Sequence, residues 1–475
     1  MRLIASLTAS LCLPLFLAPS SHAQKVGELW ANNCASCHGE NAGGGSASTM
    51  LDDEWATDGS DRALYEAVYE GREDIGMPAF KGGLSEAESW ALIVYLHELR
   101  FAAKKDERPT ADRDGTYDSQ HHRYQVETVV ENVDGLSRPW AIDFLPTGEM
   151  IVTERSGKLY LFDQDGQAQL IHDTPEVWAK SQGGLLDVAV HPASDQDQPW
   201  IYLTYSVSAK DDPSKGSTAL ARGKIDLDNL RWTDQQLLFR PEEDDMYSAG
   251  VHFGSRIVFD GDGHVFFVVG ERGQQQPSQG LESATGKIHR VNEDGSIPDD
   301  NPFVDSNTPT TWTLGHRNPQ GLAMHPETGK LYDVEHAPRG GDELNLLEKG
   351  KNYGWPVVSY TMNYNMTPFG DSAPFHEPRG FTEPVHYWIP AIAVCGSSFY
   401  TGDQFANWKN DLFIAALAKT SIHRVRLGDD GRSITEDEIL LQGMGRVRDV
   451  VTGPDGNLYA ALEQPGRIVK ISPAE

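Results

Sequence analysis

The sequence contains few cysteines, 4 in 475 residues. Cys12 lies in an apolar N-terminal stretch, and Cys34 and Cys37 belong to one short motif, which leaves Cys395 as the only other thiol. One remaining thiol cannot form a disulfide within the chain. The composition therefore excludes a small fold stabilised by a set of disulfides.

Positive charge is also scarce. Lysine and arginine together number 40 against 70 acidic residues, which gives a formal net charge of −30 at pH 7. Nucleic acids and anionic membrane surfaces bind proteins through clustered lysine and arginine. No apolar run after Ala23 reaches the roughly 20 residues that a membrane-spanning helix needs. We therefore expect neither a nucleic-acid partner nor a membrane span in the mature protein.

The first 23 residues resemble a secretory leader. Arg2 lies near the start, an apolar stretch runs to Leu17, and Ser21-His22-Ala23 has the small-x-small pattern of a cleavage site. This order of charged, apolar and small residues is typical of a signal peptide that is removed on export. We predict a signal peptide over residues 1–23 and an exported mature protein.

Two cysteines and a histidine form a compact motif, Cys34-Ala-Ser-Cys37-His38. In c-type haem attachment the two thiols bond the porphyrin and the adjacent imidazole ligates the iron. A thioredoxin-like redox pair and half of a zinc site are the alternatives, but neither requires a histidine directly after the second cysteine. We predict haem c on Cys34 and Cys37 with His38 on the iron. Bacteria assemble this haem outside the cytoplasm, so the motif indicates the periplasm.

A methionine downstream is a candidate for the second iron ligand. Met77 lies in Gly76-Met-Pro-Ala-Phe80, where proline keeps the preceding residue extended, and Met50 is its competitor. A Ser85–Glu88 capping pair and helical apolar spacing predict a helix over 85–99. The order of these features resembles a class I cytochrome c. We predict a small all-α domain over 24–102, followed by a polar linker over 103–122.

From residue 123 onward the pattern changes to short apolar strands separated by glycine, proline, asparagine and aspartate. One strand-turn-strand unit recurs six times, at residues 140–153, 185–204, 255–270, 321–334, 398–415 and 447–461. A single sandwich is the alternative, but it would not explain this recurrence. We therefore predict an all-β six-bladed β-propeller over 123–475.

Arginines recur at the starts of these units. Arg317 lies beside Asn318 in the loop Gly315-His-Arg-Asn-Pro-Gln-Gly321, and Arg446 and Arg448 are two residues apart on one strand. Residues i and i+2 of a strand share a face, and a guanidinium binds a carboxylate through two parallel hydrogen bonds. The pattern predicts a polyanionic ligand. The alternative is that these arginines pair with the excess acid at the surface.

Six motifs occur in one order along the propeller region: Gln182-Gly-Gly-Leu-Leu-Asp187, His252-Phe-Gly-Ser-Arg256, Gly315 to Gly321, Arg339-Gly-Gly-Asp-Glu343, Gly350-Lys-Asn-Tyr353-Gly-Trp-Pro356 and Arg446-Val-Arg-Asp-Val450. Together they resemble the soluble pyrroloquinoline-quinone (PQQ) sugar dehydrogenases, most closely the aldose sugar dehydrogenase branch. The resemblance implies a six-bladed propeller with the tricarboxylate quinone over its central channel.

The resemblance also implies residue roles. His252 would be the general base that takes the proton of the anomeric hydroxyl while hydride moves to the quinone, a role that suits an imidazole. The alternative for His252 is a core histidine satisfied by hydrogen bonds. The residues expected to bind PQQ are Gln182, Arg317, Asn318, Tyr364, Arg446 and Arg448. Gln320 is expected to shape the loop rather than touch the cofactor.

Calcium is the metal that the resemblance implies, and a hard cation suits oxygen ligands. The carbonyls of Ala337 and Pro338 would meet the ion beside the cofactor, and a second, structural ion would use Glu343 and the carbonyl of Tyr353. For Glu343 the alternative is an ordinary acidic residue in a turn.

The chain departs from the family at two places. Glucose-oxidising members have a lysine near the cofactor where this chain has Ala418, followed by Lys419, and whether Lys419 reaches the pocket stays open. Those members also have Gln-Gly-Pro where this chain has His336-Ala337-Pro338.

These features together predict a periplasmic quinohaemoprotein. We expect it to oxidise aldoses to lactones and to pass single electrons through the haem to an external periplasmic acceptor. A propeller lactonase or other calcium hydrolase with a haem attached is one alternative, although it would not explain the three arginines. A non-catalytic sugar-binding propeller is the other.

Overall fold

The computed structural model describes residues 24–52, 54–104, 110–192, 198–371 and 373–474. A small helical domain comes first and a ring of six β-sheets follows. The predicted signal peptide, 1–23, lies outside the described residues. Among the described residues, no helix is both long and apolar enough to cross a lipid bilayer.

The described residues of the helical domain form four α-helices, α1 (Val26–Asn33), α2 (Ala35–His38), α3 (Asp61–Tyr69) and α4 (Glu86–Ala103), and a short 3₁₀ turn at Glu73–Ile75. The predicted capping box begins α4. The Ser85 hydroxyl accepts from the Glu88 amide at 3.2 Å, and the Glu88 carboxylate accepts from the Ser85 amide at 2.8 Å. These two bonds satisfy amides that have no partner within the helix.

The propeller has six antiparallel sheets, each a blade. Blade 1 contains β3 (Pro139–Phe144), β4 (Met150–Glu154), β5 (Lys158–Phe162) and β6 (Ala168–Ile171). Blade 2 contains β7 (Leu185–Val190), β8 (Ile201–Ser208), β9 (Gly216–Asp226) and β10 (Arg231–Phe239). Blade 3 contains β11 (Ile257–Phe259), β12 (His264–Val269), β13 (Lys287–Asn292) and β14 (Thr311–Leu314).

Blade 4 contains β15 (Pro319–Met324), β16 (Leu331–Glu335), β17 (Asp342–Leu347) and β18 (His386–Trp388). Blade 5 contains β19 (Val394–Phe399), β20 (Leu412–Ala416), β21 (Ser421–Leu427) and β22 (Ile434–Leu440). Blade 6 contains β23 (Arg446–Thr452), β24 (Leu458–Glu463), β25 (Arg467–Pro473), β2 (Arg123–Val130) and β1 (Gly115–Asp118). The first strands of neighbouring blades contact each other around the ring.

Blade 6 joins the two ends of the propeller. Its strand order is β1-β2-β25-β24-β23, and Tyr124 pairs with Pro473. This pairing closes the ring, so that the blade has no gap between its first and last strands. Strand β1 falls inside the segment predicted as linker, 103–122. The polar sequence hid it because a short edge strand is held by backbone pairing to β2 rather than by an apolar face.

Aspartates on the first strands bind the backbone of the next blade. Asp143 accepts from the Val190 amide at 2.7 Å, and Asp187 accepts from the Ile257 amide at 2.7 Å. A third aspartate, Asp449, binds the Ile142 amide at 2.9 Å. These buried carboxylates replace the hydrogen bonds that two neighbouring sheets cannot supply to each other.

One buried arginine connects four blades on the axis. Arg256, just before β11, donates to Asp187 at 2.7 Å and lies 3.1 Å from Asp449. Its other nitrogens donate to the carbonyls of Gln320 at 2.9 Å and Arg448 at 3.1 Å. Asp187 and Asp449 both pair with this single charge, so the middle of the channel is filled by an ion cluster whose arginine has all its partners within the protein.

The helical domain packs on the long insert between β17 and β18. Val26, Trp90 and Val94 share one buried apolar cluster with Tyr360 and Met362 of the insert. Trp90 meets the Tyr360 ring edge to face, with centroids 5.5 Å apart. The two domains are therefore joined by an apolar contact as well as by the chain between them.

Candidate active site

A cavity of about 390 Å³ lies where the first strands of the six blades begin. Its volume is within the range of small-molecule sites. All six residues predicted to bind PQQ line it, together with His252 and Gln320. The complete lining comprises Arg138, Trp140, Arg155, Ser181, Gln182, His252, Phe253, Arg317, Asn318, Gln320, His336, Tyr364, Ala393, Leu417, Arg446, Arg448, Glu463 and Gln464.

His252 is oriented by a buried carboxylate. Its Nδ1 is hydrogen-bonded to Glu271, which follows β12 and is 1% exposed. The second Glu271 oxygen accepts from the Gln275 amide at 2.5 Å. Since Nδ1 is occupied, Nε2 is the nitrogen of His252 that is left for a ligand. Sequence reasoning missed Glu271. The charged pair Glu271-Arg272 directly after an apolar strand was the available signal.

Burial sets the protonation of this pair. It lowers the pKa of His252 below the usual histidine value, although the hydrogen bond to Glu271 acts in the opposite direction. Burial alone would raise the pKa of Glu271, but the hydrogen bonds that it accepts from His252 and from the Gln275 amide bring that pKa below the usual value. The pair therefore consists of a neutral imidazole and a carboxylate, which is the state that a general base requires.

The backbone of His252 is held in a strained conformation. Its φ is +55°, a left-handed value that residues other than glycine rarely adopt. Gln182 accepts from the His252 amide at 2.8 Å, and the Arg272 amide donates to the His252 carbonyl at 3.2 Å. Gly270 lies so close that a Cβ there would stand 2.3 Å from the His252 carbonyl oxygen. Several neighbours together thus fix the direction of the imidazole.

Arg272 supports the same loop through buried contacts with backbone carbonyls. Its guanidinium is fully buried and donates to the carbonyls of Ala249 at 2.6 Å and Gly216 at 3.1 Å. It also lies 3.5 Å from the centroid of the Phe253 ring. Burial lowers the pKa of Arg272 to about 9. All these contacts stay within the protein, so Arg272 is a positioning residue.

Arg317 has binding capacity left for a ligand. Its backbone amide donates to Glu335 at 2.7 Å, and its Nη1 donates to the His336 carbonyl at 3.0 Å. The guanidinium lies 5.2 Å from the Trp355 ring centroid. Its buried Nε has no hydrogen-bond partner among the described residues. A buried donor of this kind is satisfied when an anion enters the cavity.

Arg446 and Arg448 share one carboxylate. Glu463 accepts from Arg448 at 2.6 Å and from Arg446 at 3.2 Å. Arg138 and Arg155, which sequence reasoning missed, also line the cavity. Among the described residues that line the cavity, five are arginines and Glu463 is the single carboxylate. The cavity thus carries positive charge in a chain whose net charge is −30, a distribution that fits a polyanionic ligand such as a tricarboxylate.

The amide side chains of the site bind its own loops. The Asn318 carbonyl oxygen accepts from the Gly254 amide at 3.1 Å, and the Gln320 amide donates to the Gly254 carbonyl at 2.8 Å. Gln320 therefore shapes the loop, as the sequence predicts, although it also lines the cavity. Tyr364, on the insert between β17 and β18, is 67% exposed and stands at the mouth.

The residues expected to hold calcium lie beside this cavity. Ala337, Glu343 and Tyr353 line a small adjoining hollow together with Arg317 and Glu335, whereas Pro338 does not belong to its lining. Glu343 is 6% exposed, and burial together with nearby Glu335 raises its pKa well above the usual range. Buried carboxylates and carbonyls are the ligands that calcium prefers, so these residues fit a divalent cation.

The haem motif lies at the join of two helices. Cys34 lies between α1 and α2, while Cys37 and His38 belong to α2, and both thiols are free. The His38 Nδ1 is buried and has no hydrogen-bond partner among the described residues. Burial lowers the pKa of His38, which favours the neutral imidazole that ligates a metal. The motif therefore fits a covalently attached haem.

The two candidates for the second iron ligand differ in their surroundings. Met77 lies in a loop that is pinned to Arg72 by backbone hydrogen bonds of 2.8 and 2.9 Å. Met50 packs against the apolar core of the domain. A thioether in the core already has a packing role, so this difference favours Met77.

Lys419 points away from the cavity lining. Its Nζ lies 3.6 Å from the centroid of the Phe101 ring in α4. Ala418 and Lys419 are both absent from the described residues that line the cavity, whereas Leu417 belongs to them. Lys419, one residue after the position that matches the cofactor lysine of glucose-oxidising members, thus contacts the helical domain.

Comparison with known proteins gives the same two-part division. Residues 136–470 match the family model described as glucose/sorbosone dehydrogenase, and residues 21–96 match the model of the cbb3-type cytochrome c oxidase subunit III. The aldose sugar dehydrogenase YliI of Escherichia coli is 40% identical over 346 residues, which cover 72% of this chain and 91% of that protein.

Solved structures extend the comparison. The apo-form of the soluble aldose sugar dehydrogenase of Escherichia coli superposes with a TM-score of 0.68 at 38% identity, covering 74% of this chain and 100% of that one. The PQQ-bound aldose sugar dehydrogenase of Streptomyces coelicolor gives 0.59 at 25% identity, covering 74% and 98%. The predicted propeller and the predicted resemblance are confirmed. The chain belongs to the glucose/sorbosone dehydrogenase family and carries a cytochrome c domain in front of its six-bladed propeller.

Proposed function

We propose that the protein is a periplasmic PQQ-dependent dehydrogenase that oxidises aldoses at the anomeric carbon to lactones and passes single electrons to its own haem c. One observation carries this proposal: a cavity with five arginines and one carboxylate contains a histidine oriented by a buried glutamate. The relatives named for aldose sugar oxidation and for bound PQQ support the same assignment.

The arginines would hold the cofactor. Arg317, Arg446 and Arg448 line the cavity and bind its carboxylates, while Gln182, Asn318 and Tyr364 complete the pocket. PQQ, when bound, supplies the acceptor for the hydride that leaves the anomeric carbon. A guanidinium suits this task because its planar donors match a carboxylate in pairs.

His252 would move the proton. The neutral imidazole accepts the proton of the anomeric hydroxyl at Nε2, because Nδ1 is bonded to Glu271. The Glu271 carboxylate then stabilises the imidazolium and keeps the ring in place. The sugar loses this proton and the C1 hydride, which leaves a carbonyl at C1 and so the lactone.

Calcium would complete the site. The carbonyls of Ala337 and Pro338 are proposed as ligands of an ion beside the cofactor, and Glu343 with the carbonyl of Tyr353 as ligands of a second ion. The buried position of Glu343 next to Glu335 supports this, since a divalent cation compensates two clustered carboxylates.

The cytochrome domain would carry the electrons onward. Cys34 and Cys37 attach the haem, and His38 and Met77 ligate its iron. The haem, when bound, accepts one electron at a time, so two transfers follow each sugar. The leader-like residues 1–23 and the haem motif both support export to the periplasm, where an external acceptor would receive the electrons.

The experiment is an absorption spectrum of the oxidised, haem-loaded full chain before and after addition of an aldose. We expect ferrous c-type bands after aldose addition only in the chain loaded with PQQ and calcium. A His252→Ala variant that still binds PQQ should show no ferrous bands. A haem that stays ferric despite PQQ binding would contradict the proposal. Lactone hydrolysis without PQQ would instead support the hydrolase, and sugar binding without any reduction would support the binding module.

A further inference from the structure

Tyr364 stands on an insert of irregular backbone between two strands of blade 4. The insert 348–385 between β17 and β18 contains, among its described residues, a single 3₁₀ turn at Glu377–Arg379 and no strand. Tyr364 itself is 67% exposed although it lines the cavity. Its position must therefore come from whatever fixes residues 361–368 on either side of it.

The cytochrome domain fixes both sides. Met362 is fully buried in the apolar cluster that contains Val26 and Trp90. The Met366 carbonyl accepts from the amide of Val26, the first residue of α1, at 2.8 Å. The Met366 amide also donates to the Asn363 carbonyl at 2.9 Å, which closes the turn that carries Tyr364. Helix α1 thus holds the far side of this turn.

An ion pair connects α4 to the same segment. Arg339 donates to Glu98 through two hydrogen bonds of 2.7 and 3.0 Å. The backbone of Arg339 in turn binds the Thr361 hydroxyl at 2.9 Å and the Met362 amide at 3.2 Å. Arg339 follows Ala337 and Pro338 in the chain, so this contact also reaches the proposed calcium loop.

A third contact with the cytochrome domain involves Lys419. Lys419 stacks over Phe101 of α4, two residues after Leu417, which lines the cavity. Three segments therefore each contact the cytochrome domain: 361–368 and 417–419, which contribute Tyr364 and Leu417 to the cavity, and 337–341, which borders the adjoining hollow. His252 and Glu271 lie on other connections of the ring, those of blade 3.

We propose that the docked cytochrome domain is a structural part of the sugar site: through Val26 and Glu98 it positions the segment that holds Tyr364 at the mouth. This inference rests on the proposed function, because Tyr364 is proposed to line the PQQ pocket and the aldose, with PQQ already bound at saturation, is the ligand that enters past it. Val26 and Glu98 are positioning residues. Loosening their contacts weakens binding at the mouth while the proton transfer at His252 continues.

The first test removes one hydrogen bond. Val26→Pro deletes the amide that binds Met366, at the first helical position, where proline is well tolerated. Lys25 already has the extended conformation (φ −67°, ψ 140°) that a following proline requires. Val26→Ala is the matched control, since it trims the same side chain and keeps the amide.

The second test removes one charge. Glu98→Gln breaks the ion pair with Arg339, and Glu70→Gln removes a charge from the exposed Lys81–Glu70 pair of the same domain as its control. The full chain, with haem, PQQ and calcium, is assayed with an artificial acceptor. Hydrogen exchange of the amides of residues 361–368 is measured on the haem-loaded chain without sugar, where faster exchange reports local opening.

We expect Val26→Pro and Glu98→Gln each to raise the aldose KM about fivefold with kcat within about twofold of wild type, the pattern of lost ground-state binding. Exchange at 361–368 should accelerate in both variants and less in Val26→Ala, which keeps the amide but trims a buried side chain, while Glu70→Gln stays near wild type. Unchanged KM in both test variants, or equal effects in test and control variants, would overturn the inference. Absence of aldose turnover in the wild type would instead refute the proposed function.

Discussion

Two sections of the propeller axis contain buried arginines with opposite charge balance. In the middle of the channel, Arg256 lies between Asp187 and Asp449, and its remaining donors bind backbone carbonyls. At the cavity, five arginines and the single carboxylate of Glu463 belong to the described lining, and Glu463 accepts from Arg446 and Arg448. The first cluster is complete in itself, whereas the second is completed by an anion. Charge balance thus distinguishes a structural arginine from a ligand-binding one where burial does not.

The largest expected effect comes from unbalancing the middle section. Arg256→Leu leaves Asp187 and Asp449 buried without their cation, and breaking a buried ion pair costs about 3–5 kcal/mol. We expect this loss in the free energy of unfolding, measured by urea denaturation. Arg256→Lys is the control, because it keeps the charge, and should lose less. Equal stability of wild type and Arg256→Leu would show that the middle section is not held by charge.

The second effect concerns the orientation of His252. Glu271→Gln keeps the size of the side chain but removes the charge that steadies the imidazolium, so kcat should fall about a hundredfold, within the range of general base catalysis. Steady-state kinetics with an artificial acceptor would measure it, with KM and unfolding nearly unchanged. A kcat close to that of wild type would mean that Glu271 only fills space.

A smaller effect tests the cavity side of the comparison. Arg317→Leu removes a guanidinium whose Nε has no partner among the described residues. We expect PQQ affinity to fall about tenfold to a hundredfold, the contribution of a charge-assisted hydrogen bond pair. Titration of the haem-loaded chain with PQQ would measure it. Stability should change far less than in Arg256→Leu, and a comparable loss would erase the distinction between the two sections.

The smallest effect is a shift in pH dependence. Burial lowers the pKa of His252, so the imidazole stays neutral to a lower pH than an ordinary histidine. The general base must be neutral, so kcat/KM should rise with pH to a plateau. The midpoint of that rise should lie below about pH 6.5, the usual histidine pKa. A profile of kcat/KM between pH 4.5 and 8 would show this, and an acid limb centred above pH 6.5 would contradict the assigned environment.

The sequence by itself determined the parts that depend on local chemistry. The spacing of Cys34, Cys37 and His38 predicted a cytochrome c domain, and the capping pair Ser85 and Glu88 begins α4 as predicted. Repetition of one strand-turn-strand unit predicted six blades. Four of the six motifs, those with Gln182, His252, Arg317 and Arg448, were found around one cavity, since each stands at or just before the start of a first strand and those strands meet around the ring.

The tertiary structure alone decided which distant groups meet. Glu271 meets His252 through the pairing of β11 with β12, whereas Arg138 and Arg155 in the cavity and the ion cluster of Arg256 depend on blades that the ring brings together. Lys419 contacts Phe101 because the cytochrome domain docks on the insert between β17 and β18. The sequence of either domain alone does not predict this docking. Local patterns specify elements and motifs, but charge balance and domain contact arise between residues far apart in the chain, and so they follow from packing.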